Sequence, residues 1–243
     1  MPKLNWNRQQ WDEVYSWNLK GEEWSVTWGS SEAQWFATLY PRLHRGLPAR
    51  RILEIAPGFG RWTRYLLSYC DEYTGIDLSV ECVAACRQRF AKQEKATFLQ
   101  NDGLSLAGAS GKYDLVFSFD SLVHADMEVM NKYIPSILKL LGRDGVAFIH
   151  HSNFSHSGET ENVHHRSEDV TAASVRKLIE EHGGALRVQE TINWGSSHLI
   201  DCLTTFGTGE RRDDPVIFEN FRFMEEANHT KAVFDRYCAS KRA

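Results

Sequence analysis

Six of the ten histidines in this chain, His124, His150, His151, His156, His164 and His165, fall in one stretch that also holds Asp120, Asn153 and Arg166. Imidazole titrates near neutrality, so a histidine facing an alcohol or phenol can take its proton at physiological pH. The cluster therefore points to general-base chemistry. His124, four residues after Asp120, is the predicted base, and Asp120 either orients it or accepts a hydrogen bond from the substrate. His151, Asn153, His165 and Arg166 are predicted to contact that substrate. Any one of these side chains alone reads equally as a packed or solvated residue. Their crowding is what carries the argument.

A second group sits earlier, in Ile52-Leu-Glu-Ile-Ala-Pro-Gly-Phe-Gly60. An apolar strand runs into Gly58 and Gly60 and a helix follows, the arrangement in which glycine lets backbone approach a ligand closely. Two carboxylates stand downstream at predicted strand ends. Asp77 is placed to take both ribose hydroxyls of an adenosine, and Asp102 to accept from the adenine amino group. The dinucleotide-dehydrogenase fingerprint wants a third glycine where this chain has Thr63. Glu54-Ile-Ala-Pro-Gly-Phe-Gly60 instead resembles the first motif of class I S-adenosylmethionine-dependent methyltransferases, with Ala56 in place of its first glycine. The resemblance implies S-adenosylmethionine as cofactor, held by Glu54, Ala56, Gly58, Gly60, Asp77, Leu78, Asp102 and Gly103.

These residues need a scaffold that lines up strand ends. Short apolar runs at Arg51–Ala56, Glu72–Asp77, Ala96–Gln100, Tyr113–Asp120 and Gly145–His151 alternate with helical patterns at Val80–Ala91, Glu128–Leu141 and Val170–His182. Strands spaced by helices of this length predict βαβ units and a parallel sheet. Leu186–Trp194 and Ser197–Gly207, parted only by Gly195-Ser196, are too close for a parallel crossover and predict an antiparallel hairpin. The expected architecture is α/β and Rossmann-like: a mostly parallel seven-stranded sheet with an antiparallel terminal strand. One domain spans 1–243, with a helical layer over 1–49, a cofactor-binding core over 50–207 and a C-terminal helical extension over 208–243. A helix is expected near Glu219–Tyr237, and another over 30–46 with Pro41 kinking it. Six of the eight tryptophans lie in the first 35 residues. They pack that layer onto the domain, act as a lid over the pocket, or do both.

Bulk properties narrow the partners. With 243 residues and a net charge of −4, the chain has no basic excess to suggest a nucleic-acid surface. No apolar run approaches the length of a membrane span, and no leader pattern opens the sequence, so a cytoplasmic protein is expected. Five cysteines without a CxxC pair read as reduced thiols. The oligomeric state is not legible.

The acceptor is addressed by further resemblances. The segment after the fourth strand, Ser118-Phe-Asp-Ser-Leu-Val-His124, lacks the Pro-Pro pair of enzymes that methylate adenine or glutamine. His124 stands close to where catechol O-methyltransferases carry their catalytic lysine. That family holds a magnesium ion at the ends of strands four and five, which here implies Asp120 and His151 as ligands. Trp24-Ser25, Trp28-Gly29, Glu32-Ala-Gln-Trp35, Phe148-Ile-His-His-Ser-Asn153 and Ile192-Asn-Trp-Gly195 together resemble bacterial sugar O-methyltransferases of polysaccharide assembly. That resemblance implies a saccharide hydroxyl, of the mannoside kind, as acceptor. A phenol or amine acceptor, or a domain that binds the cofactor without turnover, are the alternatives.

Overall fold

The computed structural model describes residues 3–209 and 214–239. Residues 210–213 and 240–243 of the expected C-terminal extension lie outside the described residues. Eight strands form one sheet: β1 (Ala49–Ile55), β2 (Cys70–Asp77), β3 (Ala96–Gln100), β4 (Tyr113–Ser118), β5 (Leu141–Ser152), β6 (Gly184–Ile192), β7 (Asp201–Thr208) and β8 (Val216–Asn220). Their spatial order is β3-β2-β1-β4-β5-β7-β6-β8. β7 runs antiparallel to both of its neighbours and every other pairing is parallel.

The strands are apolar on both faces because helices cover both. On one side Leu53, Ile55, Val116 and Ile149 meet Met130, Ile134 and Ile137 of the helix Met127–Leu140. On the other, the alternating residues Ile52, Leu115, Phe117 and Phe148 meet Trp35, Leu39, Val83 and Phe223. Four of the five cysteines are buried and all are free thiols. No helix among the described residues is long and apolar enough to cross a membrane.

Three expectations are corrected. The sheet has eight strands, because Val216–Asn220 adds to β6 in parallel where only polar tail and helix were foreseen. The neighbouring helix accordingly starts at Phe223. The β6–β7 connection spans residues 193–200 instead of a two-residue turn, although the antiparallel pairing is as expected. The helix over 30–46 does not simply kink at Pro41. It widens into a π turn at Trp35–Leu39 immediately before that proline, which has no N–H to continue the α ladder.

Candidate functional site

Between the carboxyl ends of β1, β2 and β4 and the N-terminal segment lies a cavity of about 900 Å³, counted to its open mouth. Ligands of open α/β sheets bind at this edge. Its floor on one side is the glycine loop. Ala56, Gly58 and Gly60 have φ of 56°, 57° and 80°, a left-handed path that turns the backbone sharply after β1. A Cβ on Gly60 would sit 2.4 Å from the Phe90 ring, so that position has no room for another residue.

Two buried carboxylates fix this loop from behind. Asp77, at the end of β2, accepts the Gly58 amide on Oδ2 at 3.0 Å and the Ser79 amide on Oδ1 at 2.9 Å. Burial pushes its carboxyl up to about 6 against the pull of those two amides. Glu54 does not line the cavity. It accepts from the Thr63 hydroxyl at 2.7 Å and from the Tyr73 hydroxyl, and burial raises it to about 7. Thr63, which the sequence marked only as a missing glycine, thus ties the helix after the loop to β1.

The far end of the nucleoside side differs from expectation. Asp102 is exposed and is absent from the cavity wall; its Oδ1 caps the next turn by accepting from the Leu104 amide at 2.9 Å and the Ser105 amide at 2.6 Å. Asn101, one residue earlier and buried, lines the cavity instead, donating to the Tyr133 hydroxyl at 2.9 Å. Leu78 and Gly103 line it as well. An Asn-Asp pair at a strand end gives no sequence signal for which residue turns inward.

The roof is the tryptophan-rich segment. Trp17 stacks on Phe59 of the glycine loop, 4.6 Å between centroids and 5° between planes. Trp11, Trp17 and Trp24 pack against one another and against Tyr15, and all three tryptophans line the cavity. At the opposite wall, Asp120 follows β4 with φ 63° and pairs with the buried Arg61 at 2.7 Å. Arg61 lies between the Trp62 ring at 4.5 Å and the Trp24 ring at 5.1 Å and donates to the Ser25 hydroxyl at 3.2 Å. Pro57 and Arg61 are residue types that suit a sulfonium-nucleoside pocket, but nothing in the spacing announces that Arg61 pairs with Asp120, 59 residues on.

The histidines are not gathered around this space. His124 is buried, and the cavity wall includes Leu122 and Ala125 but not the residue between them that was expected to be the base. Its Nδ1 is bonded to the His165 carbonyl at 2.8 Å, and the Trp11 and Trp6 rings cover it at 5.4 and 6.2 Å. Burial, helped by the Arg166 charge, lowers it to about 4. His151 faces away, one ring nitrogen on the Ser152 carbonyl at 2.9 Å and the other on the Thr204 hydroxyl at 2.8 Å. Asn153 bridges Leu199 and Ala172, Arg166 forms a two-pronged pair with Asp201, and the exposed His165 ring lies against Trp6. His151, Asn153, His165 and Arg166 all lie outside the cavity wall.

The magnesium expectation does not fit. Both His151 nitrogens are engaged, Asp120 is neutralised by Arg61, and no cluster of three or more His, Cys, Asp or Glu able to hold a metal exists among the described residues. A magnesium ion wants several oxygen ligands, which this wall does not offer.

Comparison with known proteins agrees with the geometry. Residues 52–145 match the methyltransferase domain family. The chain is 32% identical to the Bacillus subtilis protein YqeM, which bears a methyltransferase name, over 118 residues, 46% of this chain and 47% of that one. It is 28% identical to phosphoethanolamine N-methyltransferase of Plasmodium falciparum over 100 residues, 41% of this chain and 38% of that one. The chain thus spans about half or less of the length of these curated relatives. The N-methyltransferase NodS of Bradyrhizobium japonicum, solved with S-adenosylhomocysteine, superposes with a TM-score of 0.57 at 20% identity, covering 71% of this chain and 84% of that one. A methyltransferase from Clostridium acetobutylicum reaches a TM-score of 0.60 at 14% identity, over 81% and 97%. The chain has the fold of these S-adenosylmethionine-dependent methyltransferases, and its residues 52–145 match a methyltransferase domain.

Proposed function

We propose that this protein uses S-adenosylmethionine to methylate a hydroxyl of a neutral saccharide seated between the tryptophan roof and Asp120. The cofactor, when bound, supplies an electrophilic methyl group. The residues fit it: the left-handed glycine loop leaves backbone exposed to a ligand, and Asp77 is a buried carboxylate without a cation, placed to take ribose hydroxyls. Asn101 lines the wall beside which the base would lie.

The observation that carries the acceptor reading is the Asp120–Arg61 pair set among Trp11, Trp24 and Trp62 in the cavity wall. Aromatic faces suit the C–H faces of a pyranose ring, and the carboxylate can accept a hydroxyl proton in the transition state. In this reading Asp120 does the work expected of His124, which lies outside the cavity wall. Arg61 already occupies the space between two tryptophan rings, so a cationic amine would meet a fixed positive charge there. That favours a neutral acceptor over a cationic amine. The names of the N-methyltransferase relatives favour an amine as the second reading.

Labelled S-adenosylmethionine offered with panels of saccharides, phenols and amines separates the two readings. Label entering saccharides supports the proposal, and label confined to amines overturns it. With a working saccharide, Asp120→Asn is expected to lower turnover by about a thousandfold with S-adenosylhomocysteine affinity changed less than about threefold.

A further inference from the structure

Behind Asp120 lies a buried chain of polar groups that the methyl-transfer reading leaves unused. His150, on β5, is fully buried between the Phe119 ring at 4.7 Å and the Trp194 ring at 5.3 Å. Only its two nitrogens meet polar atoms. Nδ1 accepts the Asp120 backbone N–H at 3.1 Å. Nε2 stands 3.1 Å from Asp201 Oδ2 without closing a hydrogen bond to it. Asp201 opens β7 and is itself gripped by Arg166, Nε to Oδ1 at 2.9 Å and Nη2 to Oδ2 at 2.7 Å. Burial alone would raise the Asp201 carboxyl, but the Arg166 charge overrides it and holds the group down to about 2.

We infer that His150, Asp201 and Arg166 form a positioning relay that fixes the neutral Nε2–H tautomer of His150 and thereby locks Asp120 in the conformation that presents its carboxylate to the cavity. The chemistry is one of exclusion. A nitrogen that accepts an amide N–H cannot itself carry a proton, so the only proton on His150 must sit on Nε2. An anion beside Nε2 favours that tautomer, and the anion persists because Arg166 pairs with it in both prongs. Asp120 needs such a hold, because a non-glycine residue at φ 63° is costly unless its surroundings impose it. The bond from its own N–H pins the residue at the backbone, while Arg61 pins the carboxylate from the other side. His150 and Asp201 do not line the cavity, so they act through Asp120 and never touch substrate.

The relay itself is read from geometry; its importance for turnover rests on the role proposed for Asp120. The test separates the two. Long-range proton–nitrogen NMR of the histidine-labelled protein reports which nitrogen of His150 is protonated, with no substrate required. The native protein is expected to show Nε2–H, and the Asp201→Asn variant, offering an amide donor in place of the anion, the Nδ1–H form. The Asp120 amide should then exchange with solvent at least tenfold faster, while affinity for S-adenosylhomocysteine stays within about threefold. A native His150 protonated on Nδ1, or a folded variant that keeps Nε2–H and an equally protected Asp120 amide, overturns the relay. Should Asp201→Asn fail to fold, the native tautomer alone decides. If the tautomer is Nε2–H but no saccharide is methylated in the panel, the relay stands and the acceptor reading falls.

Discussion

The two halves of the strand-end edge solve the problem of buried charge in opposite ways. Under the glycine loop, Asp77 and Glu54 are buried with hydroxyl and amide donors but no cation, and both are raised, to about 6 and about 7. Beyond β4 the acids have basic partners: the half-buried Asp120 has Arg61, and the buried Asp201 has Arg166 and His150. The first half is electrostatically incomplete, as expected of a surface that gains polar contacts when its ligand arrives. The second is charge-paired without a ligand and holds its shape through its own ion pairs. On the proposed reading, unpaired acids mark where the cofactor binds and paired ones where geometry is kept for the acceptor.

Stability should follow pH in opposite directions in the two halves. In the cofactor half the folded carboxyls hold protons more tightly than the unfolded chain, so their contribution is largest below about 4 and is lost as pH rises through 6 and 7. In the acceptor half the folded His124 refuses a proton that the unfolded chain accepts from 6.5 downward. Its contribution is present above 6.5 and is lost as pH falls towards about 4. At about 1.4 kcal/mol per pKa unit, this shift amounts to about 3 kcal/mol across that window. His124→Asn, which can still donate to the His165 carbonyl, should remove that loss. Denaturant unfolding of both proteins from pH 7.5 to 4 should give curves that converge with acid; curves that stay parallel would place the penalty elsewhere.

Next in size is Asp77→Asn, which sharpens the same contrast from the cofactor side. It removes a buried charge with no cation beside it and leaves one acceptor oxygen where two amides that shape the loop each had one. Affinity for S-adenosylhomocysteine is expected to fall about a hundredfold, the value of one to two charge-assisted hydrogen bonds. The unliganded protein should be no less stable at pH 7, because the desolvation cost disappears with the charge. Calorimetric titration and thermal unfolding measure the two quantities. A variant that loses stability and keeps affinity would reverse the assignment of this half.

The same contrast explains what was legible in the sequence. Gly58, Gly60 and Asp77 could be read because one short loop and one strand end determine their positions, and the alternation of strands and helices fixed the sheet around them. The acceptor half depends on long-range pairing: Arg61 with Asp120, and Arg166 with Asp201, are separated by 59 and 35 residues. Spacing along the chain does not show that His150 turns inward to bind a backbone amide while His151, one residue on, points to the other face of β5. Alternation along a strand sends neighbouring histidines to opposite sides, so a histidine-rich sequence need not make a histidine-rich site. The strand Val216–Asn220 escaped for a related reason, because only its pairing with β6 distinguishes it from an exposed tail.

The smallest effect concerns the seam where the halves share a roof. Trp17 lies flat on Phe59, and its ring reaches within 3.0 Å of where a Gly58 side chain would stand, so it covers the loop that the cofactor must reach. Trp11, in the same cluster, covers His124 on the acceptor side. If the roof is a lid, removing one ring from the cofactor side should speed release without disturbing Asp120. Trp17→Ala is expected to weaken S-adenosylhomocysteine binding about tenfold, the order of one buried aromatic contact, and chiefly through dissociation. Stopped-flow tryptophan fluorescence separates the two rate constants. A release rate equal to that of the native protein would make the tryptophan segment a fixed wall, and the route by which ligands enter would have to lie elsewhere along the strand ends.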